Sequence, residues 1–343
     1  MTEPLLRIDD VRVDFAGRQG LLAGLAGKTA VTARAVDGVS LEVRAGEILA
    51  LAGESGCGKT TLARSIMGLQ ETTNGTISID GQPIGTTPRE LRALRRRVQL
   101  VFQDPAGALN PRQTIYEAIA EGIRIHKMPG REEQLVAEAL STAGLRPPER
   151  FFLRYPHEVS GGQRQRVVIA GALVLKPDLL VADEPVSALD ASVRGEVLKL
   201  LLKLRDELGL AIIVVTHDLG LAWMIADRVA VMYLGRIVEI GLTEDVLSQP
   251  THPYTQALLS VVPETKAVEQ VILTGEPPDP TRIPDGCRFH LRCPLVADGT
   301  AGRLGVLERC KTEDLQLIEA DAGHSTACHL ADKASALRPK EQA

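Results

Sequence analysis

Aromatic side chains are scarce in this sequence: one Trp, four Tyr and five Phe, or 3% of 343 residues. So few rings exclude a base-stacking platform for single-stranded nucleic acid. Neither sign of charge dominates. With 39 Lys and Arg against 44 Asp and Glu, the net charge is −5, which lacks the basic footprint of a nucleic-acid partner. No apolar run approaches the roughly 18 to 20 residues that span a bilayer. The start Met1-Thr2-Glu3-Pro4 has no basic-then-apolar pattern, so it does not read as a secretory leader. These absences point to a chain kept in the cytoplasm, which docks onto a membrane if it serves one. Paired C-x2–4-C knuckles, the usual zinc signature, are missing as well. What is present, 44% hydrophobic residues, suffices for one large core or two modest ones.

Three continuous apolar runs, Ile48–Ala52, Leu179–Ala182 and Ala211–Val215, suit strands buried on both faces. A helix over about Ser192–Leu208 separates the last two, which gives a strand-helix-strand unit of a parallel sheet. Short strands are expected at Leu6–Ile8, Val11–Val13 and Val39–Val43, and at Ser78–Pro83, ending in a turn. Between the first of these lies a small-residue stretch, Gly20 to Gly27, read as a loop insertion within 16–35. Residues 104–176 turn helical in composition, as over Glu132–Ala143. From Pro263 the chain is loop-like and rich in proline, which marks a small appended module.

Gly53-Glu54-Ser55-Gly56-Cys57-Gly58-Lys59-Thr60 matches G-x-x-x-x-G-K-[ST], after a buried strand and before a helical stretch from Thr61 to Gly68. Glycines let the backbone curl until successive N–H groups face phosphates, and the helix N-terminus adds partial positive charge. Lys59 then reaches the β- and γ-phosphates and the Thr60 hydroxyl ligates Mg²⁺. Thr61 opens the helix behind them, and Cys57 adds no chemistry of its own. Asp183 and Glu184 follow a buried strand at the edge where parallel α/β sheets bind ligands. Asp183 suits Mg²⁺, and Glu184 suits the general base that polarises the attacking water.

Val159-Ser160-Gly161-Gly162-Gln163 closely resembles the signature of ATP-binding cassette (ABC) proteins, LSGGQ, with Val159 replacing Leu. The resemblance implies an α/β P-loop NTPase cassette. Its RecA-like parallel sheet core would carry an antiparallel β subdomain and a helical subdomain. It further implies that Ser160, Gly161, Gly162 and Gln163 meet the γ-phosphate bound by an opposite subunit. Gln103 in Val101-Phe102-Gln103-Asp104-Pro105 resembles the Q-loop, whose glutamine senses Mg²⁺ and the water. Ser187-Ala188-Leu189-Asp190 resembles the D-loop, with Asp190 crossing the dimer interface, and His217 resembles the switch histidine on the γ-phosphate. Phe15 is the candidate aromatic for stacking on adenine, with a core role as the alternative.

Thr251–Leu259, Leu273–Pro278 and Gly286–Pro294 resemble the segment that follows the cassette in oligopeptide/dipeptide importer ATPases. The match is to the second ATPase of that family's heteromeric pair. The resemblance implies an ATPase on the cytoplasmic face of the membrane that drives solute import. Its implied partners are a paralogous ABC ATPase, two transmembrane permease subunits and an extracytoplasmic solute-binding protein. Importers of nickel complexes or oligosaccharides, and a soluble non-transport ABC ATPase, are the alternatives. The expected organisation is a cassette over 1–260, an extension over 261–332 and a flexible tail over 333–343.

Of five cysteines, Cys287, Cys293, Cys310 and Cys328 cluster late, spaced C-x5-C-x16-C-x17-C. Disulfides are disfavoured in the cytoplasm, so four thiols in a loop-rich segment suggest a metal that ties the module together. Zinc and free buried thiols are the alternatives. The wide spacing suits a [4Fe–4S] cluster with four cysteine ligands, and the importer resemblance implies the same. The sequence thus leads to the expectation of a C-terminal metal-binding module beside ATP and Mg²⁺.

Overall fold

The computed structural model describes residues 3–16, 32–187, 189–262 and 270–331. The small-residue stretch from Gly20 to Gly27, Ala188, Pro263 and the tail at 333–343 lie outside the described residues.

Two sheets carry the fold. The smaller is antiparallel, in the order β2-β1-β4-β5: β1 (Leu6–Ala16), β2 (Thr32–Val43), β4 (Asn74–Ile79) and β5 (Gln82–Pro83). Along β1 the side chains alternate, and Leu6, Ile8, Val11 and Val13 are all buried. That alternation is what a strand with one wet face requires. The two short strands expected at Leu6–Ile8 and Val11–Val13 are therefore one strand, interrupted by a bulge where Asp10 takes φ 42°.

The larger sheet has eight strands in the order β11-β12-β10-β9-β3-β8-β7-β6. Its parallel centre comprises β3 (Ile48–Ala52), β6 (Val98–Val101), β7 (Leu179–Asp183), β8 (Ala211–Thr216) and β9 (Arg228–Tyr233). Every residue of β3 and β8 is buried, as expected of strands covered on both faces. The helix Ala191–Leu208 connects β7 to β8 and is capped by the Asp190 carboxylate, which accepts the Val193 amide at 3.0 Å. Helices Ile115–His126, Glu132–Thr142 and Gly161–Leu173 form the helical part, packed through Ile119, Ile123, Val136, Leu140 and Val167.

The chain beyond the parallel centre adds antiparallel strands: β10 (Arg236–Leu242), β11 (Ile318–Asp321) and β12 (His324–Thr326). β12 pairs with β10 through Glu239 opposite Thr326, so the extension continues the main sheet. Glu239 is fully buried and fully engaged. It accepts from the Thr251 amide and hydroxyl, the His252 amide and His324 Nε2, at 2.6 to 3.1 Å. Such a carboxylate is tolerable only because every partner is present.

His252 is buried too, and its Nδ1 accepts the Tyr254 amide at 3.1 Å. Burial holds its pKa down to about 4, against the opposing pull of Glu239. The unfolded chain protonates this histidine below about pH 6.5 while the folded chain does not. Stability is therefore complete above that pH and is lost as pH falls toward 4. Urea unfolding should show about 2 kcal/mol less stability at pH 4.5 than at pH 7 from this group alone. His252→Asn, which keeps an acceptor for the Tyr254 amide, should remove that share.

Candidate active site

β3 ends at Ala52 and the chain turns through Gly53, Gly56 and Gly58, at φ 149°, 80° and 110°. Two of these glycines are forced by close approach as well as by φ. A Cβ on Gly53 would lie 2.2 Å from the Met232 carbonyl oxygen, and one on Gly58 would lie 2.1 Å from that of Ala35. Lys59 opens the helix Lys59–Ile66, and its Nζ folds back to donate to the Gly53 and Glu54 carbonyls at 2.7 and 2.8 Å. The ammonium thus ties the two ends of the loop together. Cys57 is buried, its thiol pushed up by burial, with Sγ 3.7 Å from Lys59 Nζ.

β7 delivers the acids. Asp183 closes the strand and Glu184 follows at φ 47°, a left-handed conformation that costs a non-glycine residue about 1 kcal/mol or more. Thr60 Oγ1 donates to Asp183 Oδ1 at 3.4 Å. Burial and the neighbouring Glu184 charge push the Asp183 carboxyl up, against the Thr60 hydrogen bond. Glu184 is held at both oxygens: Gln103 Nε2 donates to Oε2 at 2.9 Å, and His217 Nδ1 lies 3.0 Å from Oε1. Glu54, Ser55, Gly56, Gly58, Lys59, Thr60, Thr61, Gln103, Asp183, Glu184 and His217 all line one cavity of about 670 Å³. An oxygen pair short of positive charge beside a lysine-bearing amide loop is the donor set a magnesium–triphosphate requires.

The remaining expected residues lie elsewhere. Ser160, Gly161, Gly162 and Gln163 do not line this cavity. Ser160 and Gln163 form a reciprocal capping box at the start of the helix Gly161–Leu173. Gly161 is exposed, whereas Gly162 is buried, and a Cβ there would lie 2.2 Å from Val193. The second glycine therefore also serves helix packing. Asp190 caps its helix through Oδ1. Phe15, 43% exposed and paired with Ala33, does not line the cavity either.

Residues 36–187 match the family model for ABC transporters, and residues 238–299 match that for the oligopeptide/dipeptide transporter C-terminal region. The oligopeptide transport ATP-binding protein AppF of Bacillus subtilis is 42% identical, over 96% of this chain and 98% of AppF. The probable peptide ABC transporter ATP-binding protein y4tS of Sinorhizobium fredii is 43% identical, over 98% and 92%. This chain belongs to the ABC transporter ATP-binding family. Among solved structures, it resembles cbiO1 of Clostridium perfringens, part of an ABC transporter complex, at a TM-score of 0.61. That match has 29% identity and covers 72% of this chain and 92% of the other. A cassette solved as a post-hydrolysis dimer with ADP and Pi matches at a TM-score of 0.60 and 28% identity, covering 69% and 98%. The chain is an ABC-type ATPase. Among its described residues, no helix is long and apolar enough to cross a membrane.

Several contacts around this cavity escape motif reading. Ala35 and Leu258 also line it. The Tyr254 hydroxyl accepts the Glu54 amide at 2.8 Å, and Arg292 pairs with the Glu54 carboxylate. Tyr254 and Arg292 sit in the segments that resemble importer ATPases, and nothing in their spacing marks them as neighbours of the phosphate loop.

The expected metal-binding module needs correction. Cys287, Cys293, Cys310 and Cys328 do line one small cavity of about 20 Å³, with His252, His290 and His329. Yet no group of three or more His, Cys, Asp or Glu among the described residues is placed to hold a metal ion. The cavity is walled by Phe289, Leu295, Val296 and Leu330. Burial in that apolar setting pushes the Cys287 thiol up to about 12 and Cys293 to about 11, with Cys310 and Cys328 also raised. A ligating cysteine must be a thiolate, so a metal in this pocket would have to displace the thiol protons that burial retains.

Proposed function

We propose that this ABC ATPase couples ATP binding and hydrolysis to the import of di- and oligopeptides. The convergence of Lys59, Thr60, Asp183, Glu184, Gln103 and His217 on one cavity carries the ATPase chemistry. The match of residues 238–299 to the peptide-transporter extension supports the peptide class.

In this reading the loop amides and Lys59 neutralise the phosphates. Thr60, Asp183 and Gln103 would hold Mg²⁺, whose charge offsets the developing negative charge. Glu184, fixed between Gln103 and His217, takes the proton of the attacking water, and His217 aligns the γ-phosphate. The exposed capping box at Ser160–Gln163, with Asp190 at the start of the helix whose Val193 packs on Gly162, completes the site of a second cassette, a paralogous partner. Two permease subunits and a solute-binding protein complete the transporter, with this chain on the cytoplasmic face of the membrane. Proteoliposomes holding all these components should hydrolyse ATP faster when peptide is supplied on the binding-protein side. Stimulation by oligosaccharide or nickel complex and not by peptide would overturn the substrate class.

The four-thiol cavity forms a finer part of the proposal. Four soft donors around one enclosed space suit a [4Fe–4S] cluster in kind, although their placement as it stands holds no ion. Iron and sulfide analysis after anaerobic purification tests this. About four of each per chain would support a cluster; a colourless, iron-free protein would rule it out.

A further inference from the structure

The phosphate loop of this ATPase carries a carboxylate of its own. Glu54 is the second residue of the loop and lines the nucleotide cavity. A bare anion there opposes a triphosphate through like-charge repulsion. The structure deals with it through the C-terminal extension. Arg292 Nη1 and Nη2 donate to the two Glu54 oxygens at 2.7 and 3.0 Å, a bidentate fork. The arginine side chain is only 6% exposed. Its guanidinium lies 5.9 Å from the Tyr233 ring centroid. Tyr233 packs with Tyr254 and Phe289 at centroid distances of 4.7 and 5.2 Å, and those two rings lie 5.3 Å apart, so the aromatic cluster fixes both arms of the contact. Tyr254 also takes the Glu54 amide, which commits that donor to the helix Pro253–Ser260. Arg288, four residues before Arg292, anchors the same segment on Asp37 and the Leu234 carbonyl.

We propose that Arg292 is a positioning residue for ATP. It neutralises Glu54 and turns that carboxylate aside, so that the loop presents net positive charge to the phosphates. The extension thereby sets the nucleotide affinity of a site to which it contributes no motif. This rests on the ATPase reading above.

The test is a mutant cycle on the full-length chain, with Mg-ATP affinity measured by titration calorimetry and folding checked by thermal melts. Arg292→Gln should weaken ATP binding about 10-fold, because it leaves Glu54 unpaired beside the phosphates. The loss should shrink as salt rises and screens the freed charge. Glu54→Gln alone removes the anion and leaves the Arg292 charge unpaired beside the phosphates, and should tighten ATP binding about threefold. Combined with Arg292→Gln, it should restore affinity to within about threefold of wild type, since the offending charge is gone. A merely structural arginine predicts no such rescue. Should Arg292→Gln melt early, Arg292→Lys keeps the charge without the fork and should bind about threefold more weakly than wild type. Arg292→Gln affinity within twofold of wild type, or a double variant as weak as the single, would overturn the proposal. A wild-type chain that binds no ATP would sink the ATPase reading itself, and the bridge with it.

Discussion

Glu184→Gln should slow ATP hydrolysis by at least about 100-fold while nucleotide binding persists, the range expected for loss of a general base. The substitution is nearly isosteric. Gln103 and His217 hold the two Glu184 oxygens at 2.9 and 3.0 Å, and an amide can still accept from one and meet the other. What it cannot do is take a proton from water. Because the φ of 47° at this position aims the side chain, a shorter acid would lose geometry as well as reach. With ATP bound but not cleaved, two cassettes should stay closed around it, giving a persistent dimer in gel filtration with Mg-ATP. Hydrolysis at the wild-type rate would show that another group is the base.

Lys59→Ala should reduce ATP affinity by about 100-fold or more, since it removes a desolvated charge-assisted contact to two phosphates. The lysine has a second role that sequence does not display. Its ammonium also donates to the Gly53 and Glu54 carbonyls, so the alanine variant loosens the loop as well. The fold should survive, because β3, β8 and the helix behind the loop are packed through apolar residues such as Leu49, Leu51, Leu62, Ile66, Ile213 and Val215. Calorimetric titration and a thermal melt separate the two effects. Undiminished ATP binding by a folded variant would remove Lys59 from the site.

The parts legible in the sequence were those whose physics is local. Ile48–Ala52 and Ala211–Val215 announce buried strands by composition alone, and the helix expected over Ser192–Leu208 begins one residue earlier, at Ala191. The phosphate loop and the acids after β7 were readable because glycine spacing and strand ends constrain neighbouring residues. What stayed hidden depends on distant pairing. β6 is only four residues long and β12 only three, and each exists because a longer strand lies beside it. Arg292 and Glu54 are 238 positions apart, so no periodicity could join them. For the four cysteines, spacing suggested a metal cage, but spacing does not show the apolar walls around them or how their side chains are placed. Phe15 was suggested by its strand, and it is 43% exposed there, outside the residues that line the cavity.

The seam between β10 and β12 has one more consequence. A cassette cut off after the helix Pro253–Ser260 would lose β12 and leave β10 as a bare edge, with unpaired amides and carbonyls ready to template another chain. The same cut would strip His324 from Glu239, leaving a desolvated carboxylate without its imidazole, and would uncover the aromatic face under Phe289. The truncated protein would tend to self-associate through that edge and precipitate rather than behave as a smaller motor. In this chain, solubility and solidity reside partly in the segment that follows the catalytic motifs.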